Sequence, residues 1–95
     1  MLLLTKLKVI GHSMGPVIKN EEIVLVSNLI YWFKKPQIGD IVAFRDGGKI
    51  LIKRVKNISK GKYFLEGDNK QDSLDSREFG LISKQEILGK VIYKL

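Results

Sequence analysis

Apolar residues recur along this chain in short runs, and the runs are separated by Gly, Asn, Asp and Pro. The runs are rich in Val, Ile, Leu, Phe and Tyr, which is the pattern of strands and not of amphipathic helices. Six strands are predicted, at residues 6–10, 22–27, 40–45, 49–56, 62–66 and 88–93. Between the third and fourth, Asp46-Gly47-Gly48 supplies residues that tolerate positive φ, so this pair forms a tight hairpin. Ser83-Lys84-Gln85-Glu86 has capping-box spacing, with room for one or two helical turns before Gly89. Residues 34–40 contain Pro36 and Gly39, lack a regular pattern, and read as a loop. The expected fold class is mostly β, with at most one short helix.

Composition narrows the class. A chain of 95 residues, 44% hydrophobic and without repeats or low-complexity tracts, suits a single domain spanning residues 1–95. There is no cysteine, hence no disulfide and no thiolate metal ligand, and no metal or other cofactor is expected. The net charge of +7 attracts phosphate, anionic lipid or acidic protein segments. The lysines are scattered rather than run together, which suits an ordinary solvated face, and a nucleic-acid partner is not expected. The longest apolar stretches, residues 1–4 and 23–33, fall short of the roughly 20 residues of a membrane helix. Residues 1–4 are also shorter than a secretory h-region, so the expected address is the cytoplasm.

Gly11-His12-Ser13-Met14-Gly15-Pro16 places a serine at the end of a predicted strand, between glycines that let the backbone turn and expose amides. A plain turn serine is the bland alternative, since a serine attacks a carbonyl only with a base beside it. His12 is the only histidine, but neighbours in an extended chain point to opposite faces, so it makes a poor partner for Ser13. Lys53 is the better candidate. Alternation along Ile50-Leu51-Ile52-Lys53-Arg54-Val55 sets it on the face of Leu51 and Val55, and an apolar environment favours the neutral amine that a base requires. The opposite assignment, with Ile50 and Ile52 in the core and Lys53 in solvent, satisfies the same alternation. The polar segment 67–80 departs from a calcium loop, with Lys70 and Ser73 where Asp or Asn and Gly are required. Within it Asp75 and Arg77 can form an ion pair, and Ser73 a hydrogen bond, that stiffen a loop beside a site.

In this order the segments resemble the signal peptidase I family over nearly the whole chain. Gly11 to Pro16 resembles the family's nucleophile motif, and Tyr31, Phe33, Pro36 and Gly39-Asp40-Ile41-Val42 the segment after the second strand. Ile52-Lys53-Arg54-Val55 is similar to the base motif. Gly67-Asp68-Asn69, Asp72-Ser73, Asp75-Ser76-Arg77 and Gly80 resemble the late box. The resemblance implies a small β-rich catalytic core of the signal peptidase and LexA type, in which Ser13 is the nucleophile and Lys53 its base. It also implies that Ser73 orients the lysine amine, that Asp75 and Arg77 buttress the site, and that the Ser13 backbone amide donates to the oxyanion. Gly11 stands where many bacterial members carry a hydroxyl residue as a second oxyanion donor. The brevity ahead of the serine resembles nickel-type superoxide dismutase maturation proteases, which remove an amino-terminal propeptide.

The function expected is therefore a serine endopeptidase that removes an amino-terminal propeptide or signal segment from a protein precursor. Two alternatives stand beside it. One is a minimal signal peptidase I acting at a membrane surface, through a peripheral contact made by Tyr31, Trp32 and Phe33 or by a partner. The other is a basic β-barrel whose aromatics and lysines stack on and neutralise single-stranded nucleic acid. For the aromatic cluster itself, core packing is the preferred reading over membrane contact.

Overall fold

The computed structural model describes residues 4–69 and 80–95. All six predicted strands are present: β1 (Leu4–Lys8), β2 (Ile23–Ser27), β3 (Ile41–Asp46), β4 (Lys49–Ser59), β5 (Lys62–Glu66) and β7 (Ile87–Lys94). A two-residue strand, β6 (Ile82–Ser83), and a one-turn helix, α1 (Ile30–Phe33), were not predicted. The fold is mostly β. The turns expected after Ser83 amount to one 3-10 turn at Lys84–Glu86, where the Glu86 carboxylate accepts from the Ser83 amide at 3.2 Å.

Among the described residues the strands form one antiparallel sheet of seven, in the order β1-β2-β7-β3-β4-β5-β6. The carboxy-terminal strand thus inserts between β2 and β3. Gly47 takes φ 61° in the predicted β3–β4 hairpin, which closes on the pair Asp46 and Lys49. The β4–β5 hairpin turns at Lys60 and Gly61, both at positive φ, as its two-residue loop requires.

Both faces of the sheet are covered. On one side Val9, Met14, Ile18, Val24, Val26, Ala43 and Ile52 form a core, and on the other Tyr31, Val42, Phe44, Val55, Tyr63, Leu65 and Ile82 form a second. Period-2 alternation along β3 distributes Ala43 to the first and Val42 and Phe44 to the second. Full burial of a side chain such as Phe44 contributes about 1.5–3 kcal/mol.

A flat sheet would hold β1 and β4 four spacings apart, about 19 Å at about 4.8 Å each. Register breaks at Leu25/Val26, Ala43/Phe44 and Val55/Asn57 supply the bends and added twist that curl it. At Gly89 the β2 backbone comes so close that a Cβ would stand 2.7 Å from the Ser27 carbonyl oxygen.

Helix α1 divides the aromatic cluster. Tyr31 is buried and its hydroxyl donates to Asp40 Oδ2 at 2.7 Å, whereas Trp32 is 53% and Phe33 81% exposed. Core packing therefore holds for Tyr31 alone, because one helical turn cannot send three consecutive side chains to one face.

Candidate active site

After β1 the chain turns at Gly11, whose φ of 107° suits a residue without Cβ, and residues 11–17 form a run of tight turns. Two buried side chains, Met14 and Ile18, fix these turns to the first core. The amide of Ile18 donates to the Met14 carbonyl at 2.9 Å and that of Gly15 to the His12 carbonyl at 3.1 Å. Ser13 is thereby held, partly buried, between exposed His12 and buried Met14.

Lys53 comes from the middle of β4, opposite Val42. It is 4% exposed, while Ile50 is 46% exposed, so the assignment with Lys53 inside is the one the fold adopts. Alternation failed to choose because neighbouring Ile52 is buried as well, in the core on the other face. Ser13 and Lys53 both line one cavity of about 220 Å³, whose apolar wall includes Leu7, Val9, Ile50 and Ile52. His12 instead lines a separate cleft with Lys19 and Asn69, in keeping with opposite faces for adjacent residues.

Three residues that sequence reasoning gave no positioning role connect the serine turn to the lysine strand. The Asn69 amide donates to the Ser13 carbonyl at 2.8 Å, and Asn69 Nδ2 donates to the His12 carbonyl at 3.0 Å. Next to Asn69, Asp68 accepts two hydrogen bonds from Arg54, from Nε at 2.8 Å and from Nη2 at 2.7 Å. Arg54 directly follows Lys53 and also donates from Nη1 to the Gly39 carbonyl at 2.8 Å. These paired bonds to the guanidinium hold the Asp68 carboxyl below the usual carboxylate range, against the upward push of burial. The sequence signal was Arg54 adjoining the lysine and a Gly-Asp-Asn run downstream. Their pairing across fourteen residues was not visible in local pattern.

A second anchor is Asp40, in the loop before β3. Burial pushes its carboxyl up, but hydrogen bonds from the Tyr31 hydroxyl and Gln37 amide, together with Lys90 at 3.4 Å, outweigh this and lower it. Tyr31 is raised, first by burial and then by the same carboxylate.

Gly11 offers no side chain to an oxyanion, and its amide already donates to Asn20 Oδ1 at 2.8 Å. Ser73, Asp75 and Arg77 lie outside the described residues. Among the described residues no helix is long and apolar enough to cross a membrane.

A curled antiparallel sheet with a turn serine and a buried lysine lining one cavity defines a candidate peptidase core. The family model described as signal peptidase, peptidase S26, matches residues 1–58 and 52–95, and the chain belongs to this family. It is 34% identical to mitochondrial inner membrane protease subunit 1 of Mus musculus over 108 aligned positions, covering 90% of this chain and 65% of that protein. The Homo sapiens protein of the same name gives the same identity and coverage. Signal peptidase IB of Staphylococcus aureus (strain N315) is 54% identical over 37 residues, which is 39% of this chain and 19% of that one. The chain thus spans 65% of the length of its mitochondrial relatives.

Proposed function

We propose that the chain is a serine endopeptidase in which Ser13 and Lys53 act as a catalytic dyad, and that it removes an amino-terminal propeptide or signal segment from a protein precursor. The observation that carries this reading is the convergence of the Ser13 turn and buried Lys53 on one cavity, from strands that a flat sheet would hold far apart.

The chemistry follows from the two groups. Neutral Lys53 accepts the Ser13 hydroxyl proton as Oγ bonds to the scissile carbonyl carbon. The carbonyl oxygen gains the negative charge, toward which the Ser13 amide donates. Collapse of this intermediate breaks the C–N bond, and the Lys53 ammonium returns the proton to the departing amine. Lys53 then takes a proton from water as its oxygen bonds to the ester carbon, the C–Oγ bond breaks, and the Lys53 ammonium returns the proton to Ser13 Oγ. Burial disfavours an ammonium and so favours the neutral base this cycle starts from. On the family likeness, Ser73 orients the Lys53 amine, while Asp75 and Arg77 buttress the site.

The test is incubation of purified protein with candidate precursors, with and without vesicles, reading new amino termini by mass spectrometry. Cleavage lost in Ser13→Ala and in Lys53→Ala supports the dyad, and cleavage that survives either substitution refutes it. The cytoplasmic reading expects activity without lipid. A second reading, action at a membrane surface, is favoured by exposed Trp32 and Phe33 followed by exposed Lys34 and Lys35. Activity confined to reactions with vesicles would establish it over the first.

A further inference from the structure

The cavity holding Ser13 and Lys53 does not end at its apolar wall. A second cavity, of about 360 Å³, shares Leu7 and Ile50 with it. The two meet at these residues, between edge strand β1 and the β3–β4 hairpin, and the far compartment is lined by Val26 and Leu88. Exposed Arg45 and Thr5 line it too. Alternation sets Arg45 on the face of Ala43, so the cation stands over the first core, where a small side chain leaves room.

Resting on the peptidase reading, we propose that this far compartment is an extended substrate subsite and that Arg45 selects a carboxylate side chain, Asp or Glu, about four to five residues from the scissile bond. The spacing comes from β1. Val9 lines the near cavity and Thr5 the far one, four residues apart or about 13 Å of strand. A substrate extended beside β1 with its scissile bond at Ser13 lays a side chain four or five positions away into the far compartment. There the ligand chemistry is set by a planar cation with several donors, whose best partner is a carboxylate. Val26 and Leu88 are apolar, so the aliphatic part of a glutamate is accommodated with its charged end.

The experiment uses the full chain and a set of fluorescent peptides carrying one cleavable junction, with Glu, Ala or Lys placed singly at each position from three to six residues on either side of the cut. Two readouts are taken: kcat/KM with the unaltered protein, and binding anisotropy with Ser13→Ala, which reports affinity without chemistry. Expected at one position is a Glu preference of roughly fivefold over Ala, as for a partly exposed ion pair, carried by KM and weakened by salt. Arg45→Ala removes the preference and Arg45→Glu inverts it toward Lys, each read as the ratio of kcat/KM between the Glu, Ala and Lys peptides within one variant. A Glu preference that survives Arg45→Ala overturns the inference, as does cleavage without discrimination at any position, which leaves the peptidase reading intact. Arg45-dependent binding preference without cleavage refutes the dyad and supports the subsite. Neither binding nor cleavage of any peptide refutes both.

Discussion

Replacing Asp68 with Asn keeps the shape of the side chain that links Arg54 to the serine turn and removes its charge. In the native structure both carboxylate oxygens accept from the guanidinium, and the side chains are 14% and 26% exposed, so solvent screens the pair only in part. A hydrogen bond to a charged group contributes about 1.5–3 kcal/mol where buried, and an exposed ion pair contributes less than about 1 kcal/mol. This pair falls between, and the variant is expected to lose about 1–2 kcal/mol at neutral pH. For a domain of this size that lowers Tm by roughly 4–8 °C for each kcal/mol.

The pH dependence separates this pair from a general loss of packing. Asp68 is held below its ordinary range, chiefly by the Arg54 hydrogen bonds, so folding favours its ionised form. Its contribution is complete above the unfolded carboxylate value of about 4 and disappears as pH falls through the lower folded value. Urea unfolding of wild type and Asp68→Asn, repeated from pH 7 downward, should show two stabilities that converge in acid. A gap that stays constant with pH would refute the role assigned to the charge. In the same variant kcat should fall further than KM rises, because Asn69, the next residue, holds the Ser13 carbonyl.

Ser13→Ala, Lys53→Ala and the double substitution should each reduce cleavage to a similar floor, since members of one catalytic unit are not additive; multiplicative losses would separate their roles. Gly89→Ala places a Cβ 2.7 Å from the Ser27 carbonyl oxygen and 2.9 Å from Val26 Cγ1, and should cost about 1–3 kcal/mol in chemical denaturation. Tyr31→Phe removes the donor to the Asp40 carboxylate and should cost about 1.5–3 kcal/mol, with no change in the cleavage site.

Strands were legible in the sequence because each is a short run rich in Val, Ile, Leu, Phe and Tyr bounded by turn residues. The gains and losses are local: β1 lies two residues nearer the amino terminus than predicted, and β6 is too short to carry a pattern. Helix α1 was hidden for another reason. Its four residues are all apolar, so they carry no amphipathic contrast, and what holds Tyr31 inward is a hydrogen bond to a carboxylate nine residues away.

The same limit explains the site. Ser13 and Lys53 were legible as candidates, one from glycines around a serine and the other from a lysine on the face of apolar Leu51 and Val55, but burial of Lys53 could not follow from alternation on a strand covered on both faces. What fixes its side is long-range: Val42 opposite it on β3, and the adjoining Arg54 drawn to Asp68 and to the Gly39 carbonyl. The Arg54–Asp68 pair is therefore both an anchor for the strand that carries Lys53 and, through Asn69, a support for the turn that carries Ser13. A substitution there acts on two elements that are separate in sequence and meet at one cavity. That coupling is why loss of this surface-facing pair is expected to reach catalysis before it unfolds the domain.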